Sequence, residues 1–443
     1  MASNVNGNVT EPFWKDLPFT DIHLSQTPDV LHQLYQGVLK HIISWCQTLL
    51  TEEELDRRIR RLPRALGLRH FKNGISALSQ ISGSERKNMG KILLVCIVDR
   101  MSKKAVTAVR AILDFIHLAQ YRTHDDETLG YMEAALQRWR DNKDYFISVK
   151  IRDHFCIPKF HSLVHYVKMI RYFGTTDNFN TEMFERLHIE FAKKGWRASN
   201  HRDEFPQMCT WVTRLESIHS FSRYLEWLDA NIAVEHRLPA LRSQLCDYIN
   251  GLELEHTFVA NKYPSIPFDR IDVFHSFKRP RRRHTGDWVK ASPQDGGRFD
   301  TVIVLDGDDA EVAGLQGTRI GRVCLVFKLP EAVKIHGVLV PYPAYWPRQP
   351  LAYVTWYTKP KLARGAADTH NLPQLSKQLD KNGKPVFSII PLSNVRQSCM
   401  LVPDFKKTPM SVWDTDICTL DTCDHFYINN WQSLYTYRTV YLS

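Results

Sequence analysis

The hydrophobic period of this chain changes part-way along, and that change limits what it can fold into. From Thr27 to about residue 260, apolar residues recur at helical spacing; from residue 299 they come in short β-branched and aromatic runs. Leu31, Leu34, Tyr35, Val38, Ile42, Trp45 and Leu49 mark one helical stripe. Thr27 suits an N-cap, Pro28 the first helical position, and Asp29 a place where the helix dipole favours negative charge. Thr51 and Glu54 have the spacing of a capping box that opens a second helix. The pattern predicts further helices near 85–101, 103–120, 126–145, 158–172, 181–194 and 205–235, with Gly174 just past the end of one.

The second region holds FDTVIVLD (299–306), RVCLVFKL (322–329), GVLVPY (337–342), LAYVTWYT (351–358), VFSIIPL (386–392) and CMLVPDF (399–405), most of them separated by Gly, Pro, Asn or Asp. Short strands with such punctuation predict a small barrel or sandwich. Residues 277–298 are polar, basic and rich in Gly and Pro, as a linker would be. The expected fold class is α+β, a mostly helical first half followed by a β-barrel-like domain. Its expected parts are an N-terminal extension and remnant core strand over 1–26, a helical part over 27–260, a basic linker over 261–298 and a β-rich domain over 299–443.

Composition narrows the function. With 443 residues, 43% of them hydrophobic, the chain is globular and long enough for a sizeable core. No run nears the ~18 apolar residues of a membrane span, and the start MASNVNGNVTEPFW lacks a signal-peptide pattern. The nine cysteines are scattered and form no CxxC, which reads as reduced thiols. Cys418 and Cys423 stand near His425, but a structural zinc site needs four ligands at recognisable spacings. The net charge of +10 suits a polyanionic partner. Its densest cluster, Lys278, Arg279, Arg281, Arg282 and Arg283, reads as a solvated linker, a nuclear-import signal or a phosphate-contacting segment. No Gly-x-Ser-x-Gly, P-loop or Rossmann fingerprint supports a standalone hydrolase or nucleotide-binding enzyme.

Three constellations in the helical half could carry chemistry. One is Asp21-Ile22-His23 followed by Asp29-x-x-His32. Another is the pair His161 and His165, one helical turn apart; Ser162 stands where a zinc protease needs Glu, so the two rings read as buried, hydrogen-bonded core groups. The third runs from Asp177 to His188. Glu182 and Glu185 share a helix face there, beside a stripe of Phe184, Leu187 and Phe191. An inward carboxylate on such a helix could hold Mg²⁺, which wants oxygen ligands from several parts of a chain. A solvated charged face explains the same spacing.

Longer motifs add a resemblance. TPDVLHQLYQGV, PKFHSLVHYVKMIRYFG (158–174) and TTDNFNTEMFERLHIEFAKKGWRASNHRDEFPQM (175–208) together resemble the Plavaka transposases of basidiomycete fungi, relatives of the CACTA and Kyakuja-Dileera-Zisupton transposases. The likeness continues through RVCLVFKLP, LAYVTWYTKP and SIIPLSNVRQSCMLVPDF to the ending CDHFYIN.

The resemblance implies an RNase H-like core with an acidic triad holding two divalent metals, Mg²⁺ or Mn²⁺, about 4 Å apart. It places the Asp-x-x-His element on Asp29 and His32 and the terminal Glu on Glu185, with Glu182 as runner-up and Asp21 as the alternative second Asp. The residues between Leu34 and Thr181 would be a helical insertion. Arg186, Lys193, Lys194, Arg197 and Arg202 would line a path for DNA phosphates, although a plain solvated helix face explains them equally well. The implied partners are the transposon DNA ends, with room for a homo-oligomer, no membrane, and a nuclear location. The family's first catalytic Asp lies well upstream of Asp-x-x-His, and here the upstream acids are Glu11, Asp16 and Asp21 alone. The chain therefore reads as a C-terminal fragment of a transposase, DNA-binding in ancestry and not catalytically competent alone. The rival reading is a non-catalytic DNA- or chromatin-binding protein. It would act through the basic linker and through the β-domain aromatics Trp346, Tyr353, Trp356 and Tyr357, which could equally be that domain's core.

Overall fold

The computed structural model describes residues 11, 14–18, 21–65, 67–225, 244, 245, 247–249, 271–278, 288–292, 298–306, 314–335, 338–341, 343–361, 372–408 and 418–441. Its contacts define two compact units, residues 1–42 with 108–209 and residues 43–107 with 210–443.

Helix α1 begins as a π-helix over Val30–Leu39 and continues as an α-helix over Lys40–Leu50. Then come α2 (Glu52–Arg60), α3 (Gly83–Ile97), α4 (Lys103–Ala119) and α5 (Asp126–Asn142). Thr51 accepts the Glu54 N–H and caps α2, as its spacing predicts. Ser82 and Glu85 form a reciprocal capping box at α3. In the first unit the apolar faces of α4 and α5 bury Val109, Ile112, Phe115, Met132 and Trp139. Aromatic contacts order this core: Trp139 stacks on Phe160 at 5.1 Å, and Phe115 meets Tyr166 edge-on at 5.5 Å. Asp114, fully buried on α4, lies 3.1 Å from Arg138 on α5.

The helix predicted over 158–172 is broken into an α-turn Pro158–His161, a 3₁₀-turn Ser162–His165, and α6 (Tyr166–Phe173). Gly174, at φ +81°, ends α6 in a backbone conformation that glycine adopts without steric cost. The break overturns the expected burial of His161 and His165. Phe160, Leu163 and Tyr166 are buried at a period of three, which matches the tighter 3₁₀ winding and leaves both histidines exposed. Their Nε2 atoms lie 3.3 Å apart, each ring partnered by the other. Beyond come α7 (Glu182–Leu187), a π-turn over His188–Lys193, α8 (Lys194–Ala198) and α9 (Glu204–Leu225). No residue of α7 is buried. Before Asp272, every regular element among the described residues is helical, so the RNase H-like sheet implied by the resemblance is not displayed there.

The second unit carries the strands β1 (Asp272–Phe274), β2 (Ser276–Lys278), β3 (Trp288–Ser292), β4 (Arg298–Phe299), β5 (Thr301–Leu305), β6 (Thr318–Lys328), β7 (Ala332–Ile335), β8 (Val338–Pro341), β9 (Leu351–Trp356), β10 (Gln374–Ser376), β11 (Phe387–Pro391), β12 (Val395–Cys399), β13 (Leu401–Pro403) and β14 (His425–Ile428). The main sheet runs β11-β9-β6-β5-β12, with β1 paired to the far end of β6, and every pairing is antiparallel. Both faces are covered. Leu351 and Tyr353 pack with Leu325, Phe327 and Trp346 on one side, and Ala352 and Val354 with Val302, Val304 and Val323 on the other. Burial on two faces explains why these strands read as unbroken apolar runs.

Helices thus lead and strands follow, an α+β chain, but the sheet is not a closed barrel. β11 and β12 are joined by the short turn Leu392–Asn394 and yet stand at opposite ends of the strand order. The sheet must therefore curl until its edges come within reach of that turn. Irregular registers between Val323 and Leu325 and between Val395 and Gln397 supply the bend. No ladder joins the two edges among the described residues, and Pro391 on one of them has no N–H to give.

Two other expectations change. Part of the predicted linker is strand: β2, β3 and β4 form a small sheet that buries Val289 and Ala291. Trp346, Tyr353, Trp356 and Tyr357 are buried, so they are core and not a recognition surface. The side chains of Lys278, Arg279, Arg281, Arg282 and Arg283 lie outside the described residues.

Candidate functional site

Asp29, not Thr27, is the N-cap of the π-helical start of α1. Its backbone is extended (φ −79°, ψ 137°), and its carboxylate accepts the His32 N–H at 2.6 Å. A charged cap gains from the helix dipole as well as from the hydrogen bond, and here it gains a distant partner too. The wide winding is rare, and such segments concentrate at functional sites. Gly37 permits it: a Cβ there would lie 2.8 Å from the His32 carbonyl oxygen and 3.0 Å from the Lys159 stem.

Around Asp29 the first unit gathers groups distant in sequence. Oδ1 accepts the Thr181 N–H at 2.9 Å, and Oδ2 also lies 2.7 Å from His32 Nδ1. The other ring nitrogen, Nε2, is 3.1 Å from Glu185 Oε1. The Thr181 hydroxyl is 3.3 Å from His32 Nδ1, and the buried Tyr166 hydroxyl donates to the Asp29 carbonyl at 3.0 Å. One imidazole thus stands between two carboxylates. An imidazolium can donate to both at once, whereas a neutral ring donates to one.

Exposure is graded across the cluster. The Asp29 side chain is 13% exposed, that of His32 42% and that of Glu185 49%. Burial pushes the Asp29 carboxyl up, but the N–H groups of Thr181 and His32, the His32 ring and the Thr181 hydroxyl together outweigh it. The net shift is downward, so Asp29 is a carboxylate at neutral pH. Tyr166 moves the other way, because burial and then the Asp29 charge raise its phenol well above the ordinary range.

The remaining candidates lie apart from this contact. Glu182 caps toward Asn180 through its N–H, and its charge is felt by the buried phenol of Tyr35. Asp21 sits in an exposed turn, where Oδ1 accepts the N–H groups of His23 and Leu24. Arg186, Lys193, Lys194, Arg197 and Arg202 are all exposed, and none makes an ion pair. Sequence reasoning missed Thr181 and Tyr166. Thr181 had a signal, since it directly precedes Glu182 in the motif that carries the resemblance; Tyr166 had none.

Residues 2–46 match the family model of the Plavaka transposase. This part of the chain is Plavaka-type. The matched span takes in Asp21, Asp29 and His32, while Glu182 and Glu185 lie beyond it. No curated protein and no solved structure matches the chain.

The Plavaka-type relation of residues 2–46 would call for a divalent metal. Among the described residues, no group of three or more His, Cys, Asp or Glu side chains could hold a metal ion. The Asp29 oxygens already meet two backbone N–H groups and one ring nitrogen, and Glu185 Oε1 faces His32. Mg²⁺ and Mn²⁺ want oxygen ligands with free lone pairs. The described side chains, as arranged, do not fit such an ion.

Proposed function

We propose that this chain is a transposase-related DNA-binding protein that holds DNA along the exposed basic segment between Arg186 and Arg202, without cleaving it alone. The Plavaka-type match supplies the transposase relation. The observation that carries the DNA reading is the state of the cations. Arg186, Lys193, Lys194, Arg197 and Arg202 are exposed and unpaired within a short stretch, whereas Arg58 and Arg138 elsewhere are paired with carboxylates. Uncompensated cations gathered on one segment suit a phosphate backbone. Thr181, just before α7, is tied to Asp29 at the start of α1, and α7 itself meets His32 through Glu185. A location in the nucleus and assembly into a homo-oligomer belong to the same reading.

The test is binding of the full chain to duplex DNA carrying transposon-end sequence, by fluorescence anisotropy across a salt series. Affinity is expected to fall with a log–log slope of about −4, set by four to five phosphate contacts at roughly 0.9 each. In Lys193→Glu/Lys194→Glu/Arg197→Glu the slope should shrink by about 3, with unchanged thermal stability. Salt-indifferent binding would overturn the phosphate reading. Nicking of the same DNA in Mg²⁺ or Mn²⁺, lost in Glu185→Gln, would overturn the non-cleaving part.

A further inference from the structure

Between α8 and the loop that follows it the basic segment presents an unusual aromatic pair. The rings of Trp196 and His201 stack with centroids 4.6 Å apart and planes within 8°. Both residues are exposed, Trp196 to 43%. A large aromatic residue held flat at the surface calls for a reason beyond core packing.

The loop that makes the stack is built and not incidental. His201 and Asp203 both take left-handed backbone conformations, at φ +59° and +46°, where residues with a side chain are uncommon. Gln207 holds them there. Its Nε2 donates to Asn200 Oδ1 at 2.8 Å, to the Arg202 carbonyl at 2.7 Å and to the Asp203 carbonyl at 3.3 Å, and its Oε1 accepts the Asn200 N–H at 3.1 Å. Ser199 adds a second tie, with Oγ donating to the Trp196 carbonyl at 2.8 Å and accepting the His201 N–H at 3.3 Å. These bonds fix the loop that carries the His201 ring, which lies flat against Trp196.

The surrounding charge chooses the ligand. Lys193, Lys194, Arg197 and Arg202 flank the stack, exposed and unpaired. Positive surroundings repel a cationic guest, which an aromatic face would otherwise attract. A ligand with both a flat π-face and negative charge fits, and a nucleotide strand has both. A base inside a duplex has its faces covered by its neighbours, so an unpaired base is needed.

We infer that Trp196 and His201 form a stacking platform for an unpaired nucleobase of DNA, with Lys193, Lys194, Arg197 and Arg202 taking the flanking phosphates. This rests on the DNA-binding reading above and adds its substrate class: DNA with an unpaired nucleotide.

The test uses the full chain and a duplex carrying one unpaired 2-aminopurine, beside the same duplex fully paired. The wild-type chain should bind the unpaired substrate about 5- to 30-fold more tightly and quench its fluorescence. Trp196→Ala should lose the preference and the quench while keeping its affinity for the paired duplex; Trp196→Phe should keep most of both. Equal affinity of the wild type for the two duplexes, or a preference that survives in Trp196→Ala, overturns the platform and leaves the DNA reading standing. Failure of the wild type to bind either duplex overturns both. A loss of paired-duplex binding in Trp196→Ala and Trp196→Phe alike, with a lowered melting temperature, assigns the stack a structural role and also overturns the platform.

Discussion

Two cation-rich regions of this chain use their charge in opposite ways. In the second unit Arg58 is fully buried. It donates to Glu54 at 2.8 Å, to Asp99 at 2.8 Å and to the Cys96 carbonyl at 2.9 Å, and its guanidinium lies 4.8 Å from the centre of the Phe405 ring. In the first unit the cations from Arg186 to Arg202 are exposed and answer to no carboxylate. The buried arginine has its partners inside the fold, where it joins α2, the end of α3 and the β-rich half. The exposed ones have no carboxylate partner among the described residues. Net charge counts both alike; pairing separates structure from function.

The strongest way to break that contrast is Arg58→Met. It keeps much of the apolar bulk but leaves the half-buried Asp99 without its cation, while Glu54 keeps Arg57 at 2.8 Å. The expected cost is about 3–5 kcal/mol, read from urea unfolding of the second unit. DNA affinity of the folded protein should not change. A cost under about 1 kcal/mol would mean that the carboxylates relax into water and that Arg58 is no more a structural group than Arg197.

Much of this contrast could not be read from sequence. The six apolar runs after residue 299 all contain strands, and in the main sheet burial on both faces leaves a plain local signature. The capped start of α2 was equally legible. The placement of β11 and β12 at opposite ends of one sheet was not, since strand order depends on long-range pairing and bulges. Nor was the union of α2 and α3 with the β-rich half, where Thr419 donates to the Arg61 carbonyl and Asn429 to that of Lys91. Of the candidate site, Asp29, His32 and Glu185 were named from motifs, and the structure places His32 against both carboxylates. Their mutual arrangement needed the Thr181 N–H and the π-winding at Gly37, and the winding has no pattern in the sequence.

Asp29 sharpens the comparison because it is a buried carboxylate within the otherwise open Glu182–Arg202 neighbourhood. Asp29→Asn keeps the shape but replaces one acceptor oxygen with an N–H₂ group, which must face either the Thr181 N–H or the His32 donors. The expected loss is about 1–3 kcal/mol at pH 7. The sign of the pH dependence follows from the depressed carboxyl of Asp29. Near pH 4 the unfolded chain binds a proton here that the folded chain does not. The stabilisation is therefore complete above the unfolded carboxylate range and fades as pH falls through the folded value. The gap between wild type and Asp29→Asn in denaturant titrations should narrow from pH 5 downward. A gap constant with pH would show that shape, not charge, is what the site requires.

The smallest effect tests how closed the cluster is. His32 and Glu185 are both near half exposed, and water screens their contact. A double-mutant cycle of His32→Gln and Glu185→Gln should give a coupling of about 0.2–1 kcal/mol in unfolding free energy. Such a value assigns Glu185 to the open side, apart from the buried Asp29. A coupling above about 2 kcal/mol would instead mean that Asp29, His32 and Glu185 act as one desolvated unit, as Arg58 and its carboxylates do. The line between paired and unpaired charge would then run between α7 and α8, leaving Lys194 and Arg197 on the open side with Trp196.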